Sequence, residues 1–247
     1  MFKLLRAAAF MALLPGLAQA ADPVFSQAQH DAIVAIVREA LKSDPTILRD
    51  AVTTLNLDNE ALQAAQQREA ISSKRQELTS NFGDPQAGNP SGDITVVEFY
   101  DPRCPYCRKM LPGIEALLKK DQGIRLVYKD IPVLGPASTT EARAIVAAQQ
   151  QGGYLKMQAA LMSDPAQPTA AMITDIAHEI GLDPAKLNAD MDSAATSQRI
   201  KANLALARYL KITGTPTFVV GDQIIPGMVD ADDLQDAVAQ ARKHAEK

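Results

Sequence analysis

Apolar positions change their period along this chain, and the changes divide it. From Phe25 to about Ser80 every strong signal is helical: Ile33, Val34, Val37 and Leu41 recur at helical spacing, and Ile47, Leu48, Val52 and Leu55 continue the stripe. "SDP" at 43 to 45 ends one helix and starts the next, with Asp44 as N-cap and Pro45 at the first helical position. Beyond Asp58, "NEALQAAQQREAISSKRQEL" keeps only Leu62, Ile71 and Leu78 as large apolar residues. Such a helix has too little apolar face to form a compact domain alone. Apolar stripes on long helices are normally buried against symmetry mates, so residues 25–80 read as an oligomerisation stalk, the alternative being an extension packed on its own globular body. The heptads are too irregular to fix the number of chains.

"NFGDPQAGNPSGD", 81 to 93, breaks every helical period and predicts a boundary. "ITVVEFY" follows, β-branched and aromatic on both faces, hence a buried central strand. "RKMLPGIEALLKK" predicts a helix despite Pro112, and "IRLVYKDIP" at 124 to 132 a second strand. From about Thr139 to Leu210 the pattern is helical, with breaks at Gly152-Gly153, "SDPAQP" and "GLDP". "GTPTFVVGDQIIPG" then predicts a β-hairpin, and the acidic-started, basic-ended "DADDLQDAVAQARKHAEK" a closing helix.

Composition narrows the setting. Residues 1–20, with Lys3 and Arg6, an apolar run from Ala7 to Leu14 and Ala18-Gln19-Ala20, predict a secretory signal peptide, since the run is too short to span a bilayer. Cleavage after Ala20 leaves 227 residues and takes the formal charge from −4 to −6. That charge argues against nucleic acid or an anionic membrane as partner. An apolar fraction of 47% supports a core without staples. The only two cysteines, Cys104 and Cys107, would close a tiny loop that contributes little as a staple.

A strand followed by C-x-x-C at a helix start points instead to redox chemistry. Thiol-disulfide exchange needs one exposed thiolate and a second thiol close enough to resolve the mixed disulfide. Cys104 at the helix N-terminus, where unsatisfied N–H groups and the macrodipole favour an anion, is the nucleophile; Cys107 is the resolving thiol. Pro105 and Tyr106 between them tune the redox poise. Glu98, flanked by Val97 and Phe99 in an apolar strand, is costly to ionise there without a partner. Pro216 in "GTPTF" suits a tight turn before a strand, and an X-Pro bond is the economical place for a cis peptide.

From about Phe82 to Lys247 these features resemble the DsbA-like branch of the thioredoxin superfamily: the strand-CPYC-helix unit, the helical block before the hairpin, and "GTPTF". The helical extension before that domain resembles ScsC-type proteins. The implied architecture is α/β: a signal peptide at 1–20, a helical oligomerisation region and linker at 21–81, and a thioredoxin fold at 82–247 with a helical insertion at about 139–210. The resemblance implies that Glu98 moves a proton to or from Cys107, with Lys129 on the neighbouring strand as a partner. It also implies that Pro216 is cis and that the Thr215 backbone pairs with substrate as an added strand. Pro102 in "DPRC" departs from the aromatic residue of many relatives and alters the approach to the cysteines.

The expected function is a periplasmic thiol-disulfide oxidoreductase acting on exported proteins, with isomerase preferred because a stalk gathers several active sites around one misfolded substrate. Its implied partner is a membrane thiol reductase of the DsbD/ScsB type. A DsbA-type oxidase, a Cu(I)-binding protein using two soft thiolates, and a non-catalytic holdase are the alternatives. No cofactor or resident metal is expected: His30, His178 and His244 are far apart in sequence, none neighbours the cysteines, and there is no Walker-type glycine loop.

Overall fold

A computed structural model describes residues 25–79 and 83–245; the expected signal peptide and residues 80–82 of the expected linker lie outside the described residues. The chain divides into two compact units, Met1–Asn59 and Glu60–Lys247.

In the first unit, α1 (Gln27–Ser43) begins on a capping box: Ser26 accepts from the Gln29 amide while the Gln29 side chain accepts from the Ser26 amide. Asp44 caps α2 (Thr46–Ser73) through the Thr46 amide, 3.0 Å away. No residue of α1 is buried, and Ile36, Val37, Leu48 and Leu55 stand exposed along the helices.

The second unit begins at Glu60, midway along α2, ahead of the expected boundary at 81. Ile71 on α2 and Leu78 on α3 (Arg75–Thr79) are fully buried against Val97, Phe99 and Val219, so these sparse apolar residues of a polar segment are core residues. The stretch read as a boundary also contributes structure. Its residues Gln86–Gly88 form β1, antiparallel to β3. Gly88 has φ +75°, and a Cβ there would come within 2.5 Å of the Ile124 carbonyl, so the close approach of the two strands requires glycine.

The strand at "ITVVEFY" is β2 (Ile94–Tyr100), followed by α4 (Pro105–Lys120), which accommodates Pro112, and β3 (Ile124–Asp130). The helical block is α5 (Pro136–Ala148), α6 (Tyr154–Ser163), α7 (Ala170–Glu179), α8 (Pro184–Met191) and α9 (Ala194–Tyr209), with a single 3₁₀ turn at Gln149–Gln151. The hairpin is β4 (Thr217–Val220) and β5 (Gln223–Pro226), and α10 (Ala231–Ala245) closes the chain. The sheet order is β1-β3-β2-β4-β5, with β2 and β3 parallel and the other pairs antiparallel.

Strand parity sorts the core into two layers. Val96, Glu98 and Tyr100 of β2 lie beside Leu126, Tyr128 and Asp130 of β3 on the face that packs against Cys107, Ile114 and Tyr154. Val97 and Phe99 lie beside Val127 and Lys129 on the other face, with Ile71, Leu78 and Leu206.

Candidate active site

The turn after β2 delivers the cysteines. Cys104 is the N-cap of α4, with extended φ/ψ, and Pro105 takes the first helical position, where its missing N–H costs nothing. Asp101 fixes the turn: its carboxylate accepts from the Arg103 amide at 2.7 Å and from the Val133 and Leu134 amides at 2.8 and 3.0 Å. The same carboxylate thus ties the redox turn to the loop after β3. Sequence reasoning missed Asp101; the "DPRC" turn carried its signal, since an aspartate two residues before an amide is an Asx-turn former.

Both cysteines are free thiols within hydrogen-bonding reach of one another. Burial first, and the nearby Glu98 charge next, push the Cys107 thiol well above its ordinary range, as befits a resolving thiol that reacts only when a base takes its proton. Cys104 was expected to be exposed, but it is only 4% accessible. The Thr215-Pro216 loop covers it: the peptide bond is cis, and the Cys104 thiol donates to the Thr215 carbonyl at 3.2 Å. Pro105 and Tyr106 instead form the exposed rim, with Tyr106 57% accessible.

Glu98 is 2% exposed on the Cys107 face of β2. Burial, then the charge of Asp130, push its carboxyl up to about 8. The expected pairing with Lys129 is not found. In the parallel register Lys129 lies opposite Phe99, so parity sends its side chain to the other face. There its ammonium pairs with Asp84 and donates to the Glu77 carbonyl at 2.7 Å, while Arg199 holds the other Asp84 oxygen at 3.0 Å. Lys129 fastens Glu77 and Asp84 to the sheet rather than serving Glu98.

A second cluster joins the redox helix to the helical block. Buried Glu141 of α5 accepts from Arg103 at 3.0 Å and from Arg108 at 3.3 Å. Both guanidiniums also donate to carbonyls between Leu161 and Ala166. The cluster makes the turn carrying Cys104 part of a rigid frame. Among the described residues no group of three or more His, Cys, Asp or Glu could hold a metal ion.

Comparison with known proteins agrees with this geometry. Residues 95–239 match the DSBA-like thioredoxin domain, and residues 29–70 the copper resistance protein ScsC N-terminal domain. A thioredoxin-like oxidoreductase from Silicibacter pomeroyi is 43% identical, with 68% of this chain and 98% of that one covered at TM-score 0.66. Proteus mirabilis ScsC in a transitional conformation is 27% identical over 88% of this chain and 97% of its own, at TM-score 0.64. A periplasmic thioredoxin-like protein from Salmonella enterica serovar Typhimurium is 27% identical over 68% and 94%, at TM-score 0.62. Among curated proteins the chain also resembles part of Na(+)/H(+) antiporters, spanning 24% of the length of the one from Salinispora arenicola at 28% identity over 156 residues.

Proposed function

Because the chain belongs to the DsbA-like thioredoxin family, a family of thiol-disulfide oxidoreductases, we propose that it is a periplasmic disulfide isomerase for exported proteins. The observation that carries the exchange chemistry is the Cys104 sulfur at a helix N-cap, 3.2 Å from the Thr215 carbonyl and within reach of Cys107. Cys104 attacks a substrate disulfide and forms a mixed disulfide, releasing one substrate thiolate. In isomerisation a different substrate thiol then attacks that bond and frees Cys104. When no such thiol arrives, Cys107 resolves the intermediate, giving its proton to Glu98. Thr215 pairs with the substrate backbone beside the cysteines.

Preference for isomerase over oxidase rests on the first unit. Its two helices carry exposed Ile, Val and Leu side chains with none buried in α1, which favours association of several copies. Isomerisation also requires a reduced Cys104/Cys107 pair, hence a membrane thiol reductase of the DsbD/ScsB type.

The test is reactivation of a scrambled multi-disulfide protein by chain 21–247, beside a truncation beginning at Glu60, where the second compact unit starts. Recovery by the longer chain alone supports a stalk-dependent isomerase. Rapid oxidation of a reduced substrate without reactivation by either sinks that reading in favour of an oxidase. Stoichiometric Cu(I) retention without exchange would favour the metal-binding alternative. Cys104→Ser is expected to abolish exchange, read by loss of turnover on the same substrate.

A further inference from the structure

The Glu98 face holds a second buried acid that the exchange reaction, as described so far, does not use. Asp130 ends β3 opposite Tyr100, two residues beyond the partner of Glu98, so the two carboxyls are diagonal neighbours on one sheet face. Asp130 is fully buried, and its carboxylate accepts from the Tyr100 hydroxyl at 2.7 Å and the Tyr154 hydroxyl at 3.0 Å. These hydroxyls also touch each other at 2.8 Å. Tyr128, between Glu98 and the Asp130 cluster, stacks edge-on against Tyr100 with ring centroids 5.6 Å apart.

This arrangement is an expensive way to satisfy two hydroxyls. A neutral asparagine or serine would accept the same hydrogen bonds without the desolvation of a charge. Among the described residues no cation forms an ion pair with Asp130: Lys129 is on the other face, and Arg199, although it acts on Asp130 at a distance, is spent on Asp84. Facing the two acids are Tyr100, Tyr128, Tyr154 and Cys107; Glu115 of α4 acts on Tyr128. Buried Gln158 hydrogen-bonds to Tyr100, and Phe218 and Val220 of β4 and Leu234 and Val238 of α10 belong to the same core cluster as Tyr100, Tyr128 and Tyr154.

We propose that Asp130, held by Tyr100 and Tyr154, is a positioning residue for proton transfer between Glu98 and Cys107. Its negative charge opposes a second negative charge on Glu98, so the proton is held more tightly there and Glu98 becomes a stronger base when it does ionise. The step is balanced within the site. Cys107 gives its proton to the Glu98 carboxylate, its sulfur bonds to Cys104, and the bond between Cys104 and the substrate sulfur breaks. The substrate sulfur leaves with the electron pair and takes a proton from water; two electrons have passed from the dithiol to the substrate. In reverse, protonated Glu98 returns its proton to the departing Cys107 sulfur. Burial, partly offset by the two tyrosine hydroxyls, pushes Asp130 up to about 6, so it is charged at the pH where Glu98 works.

The inference rests on the exchange reading, and rapid mixing of the reduced full chain with a symmetric chromogenic aryl disulfide separates the two. The first aryl thiol released reports attack by Cys104; the second reports attack by Cys107. Absence of the first release would sink the exchange reading itself. With the first release intact, Asp130→Asn is expected to lower the pH midpoint of the second by about one unit, the size expected of one charge at this separation in a protein interior. Tyr154→Phe, which keeps the ring and removes one donor to Asp130, is expected to move that midpoint in the same direction by less. A purely structural role would change stability and leave the midpoint in place. An unmoved midpoint in whichever of these variants folds overturns the proposal.

Discussion

Glu98 and Lys129 belong to neighbouring central strands, both are buried, and one step of strand parity separates their fates. On one face Lys129 meets Asp84 and a backbone carbonyl, with Arg199 completing the group. Its charge is compensated, and its role is to hold Glu77 and Asp84 on the sheet. On the other face Glu98 meets Cys107, tyrosines and a second acid, with no cation in an ion pair among the described residues. A buried charge met by its opposite is a fastening; a buried acid kept apart from cations is poised to exchange a proton. The thiols lie on the second face, beside the acid.

The comparison breaks most visibly at the thiols. Cys107→Ser is expected to end turnover and accumulate mixed disulfides through Cys104, read by non-reducing electrophoresis; trapping through another residue would reverse the two cysteines. Glu98→Gln is next. It is expected to slow the Cys107 step by about 100-fold, the low end for a positioned acid or base, with attack by Cys104 unaffected in rapid mixing. Lys129→Met acts on the opposite face, costing about 3 kcal/mol in denaturant unfolding, towards the low end for breaking a buried pair because Arg199 still holds Asp84. Exchange rates should stay near wild type, and a large rate loss in a folded protein would erase the division of labour between the faces. Ile71→Ala should likewise cost about 2–4 kcal/mol without changing chemistry. Negligible destabilisation would return the start of the compact body to the region near residue 81.

A further effect concerns pH and stability. The folded Glu98 carboxyl binds its proton more tightly than in the unfolded chain, so its contribution is fully present at low pH. It is lost as pH rises towards and through about 8. Glu98→Gln removes that loss and should flatten the decline in thermal midpoint between pH 5 and 9, as followed by circular dichroism. An equal decline in both proteins would place the alkaline sensitivity elsewhere.

Much of this was legible in the chain. "ITVVEFY" named its own strand, and Glu98 stood out because one acid interrupted an apolar run. Cys-Pro-Tyr-Cys marked the helix start because proline tolerates the first helical position. Other features depend on partners that local pattern does not reveal. The β1 segment is too short and too rich in neighbouring glycine and proline to announce itself, and becomes a strand because β3 offers it an edge. Ile71 and Leu78 looked too sparse for a core, yet one docking stripe needs only a few large residues. Lys129 was assigned to Glu98 through the family resemblance, without the parallel register that sends it to the opposite face. Asp130 was hidden for a related reason: Tyr154, which helps to define its role, comes from α6, a whole helix beyond the next loop.

The central claim is that the Glu98 face holds an acid ready to exchange a proton with Cys107 near neutral pH. The most direct measurement is an NMR titration of the carbon-13-labelled Glu98 carboxyl in the reduced full chain, assigned by its loss in Glu98→Gln. A midpoint near 8 is the expected result. A midpoint in the ordinary carboxylate range would mean that Glu98 is ionised throughout the working pH, and would contradict its role as the proton partner of Cys107.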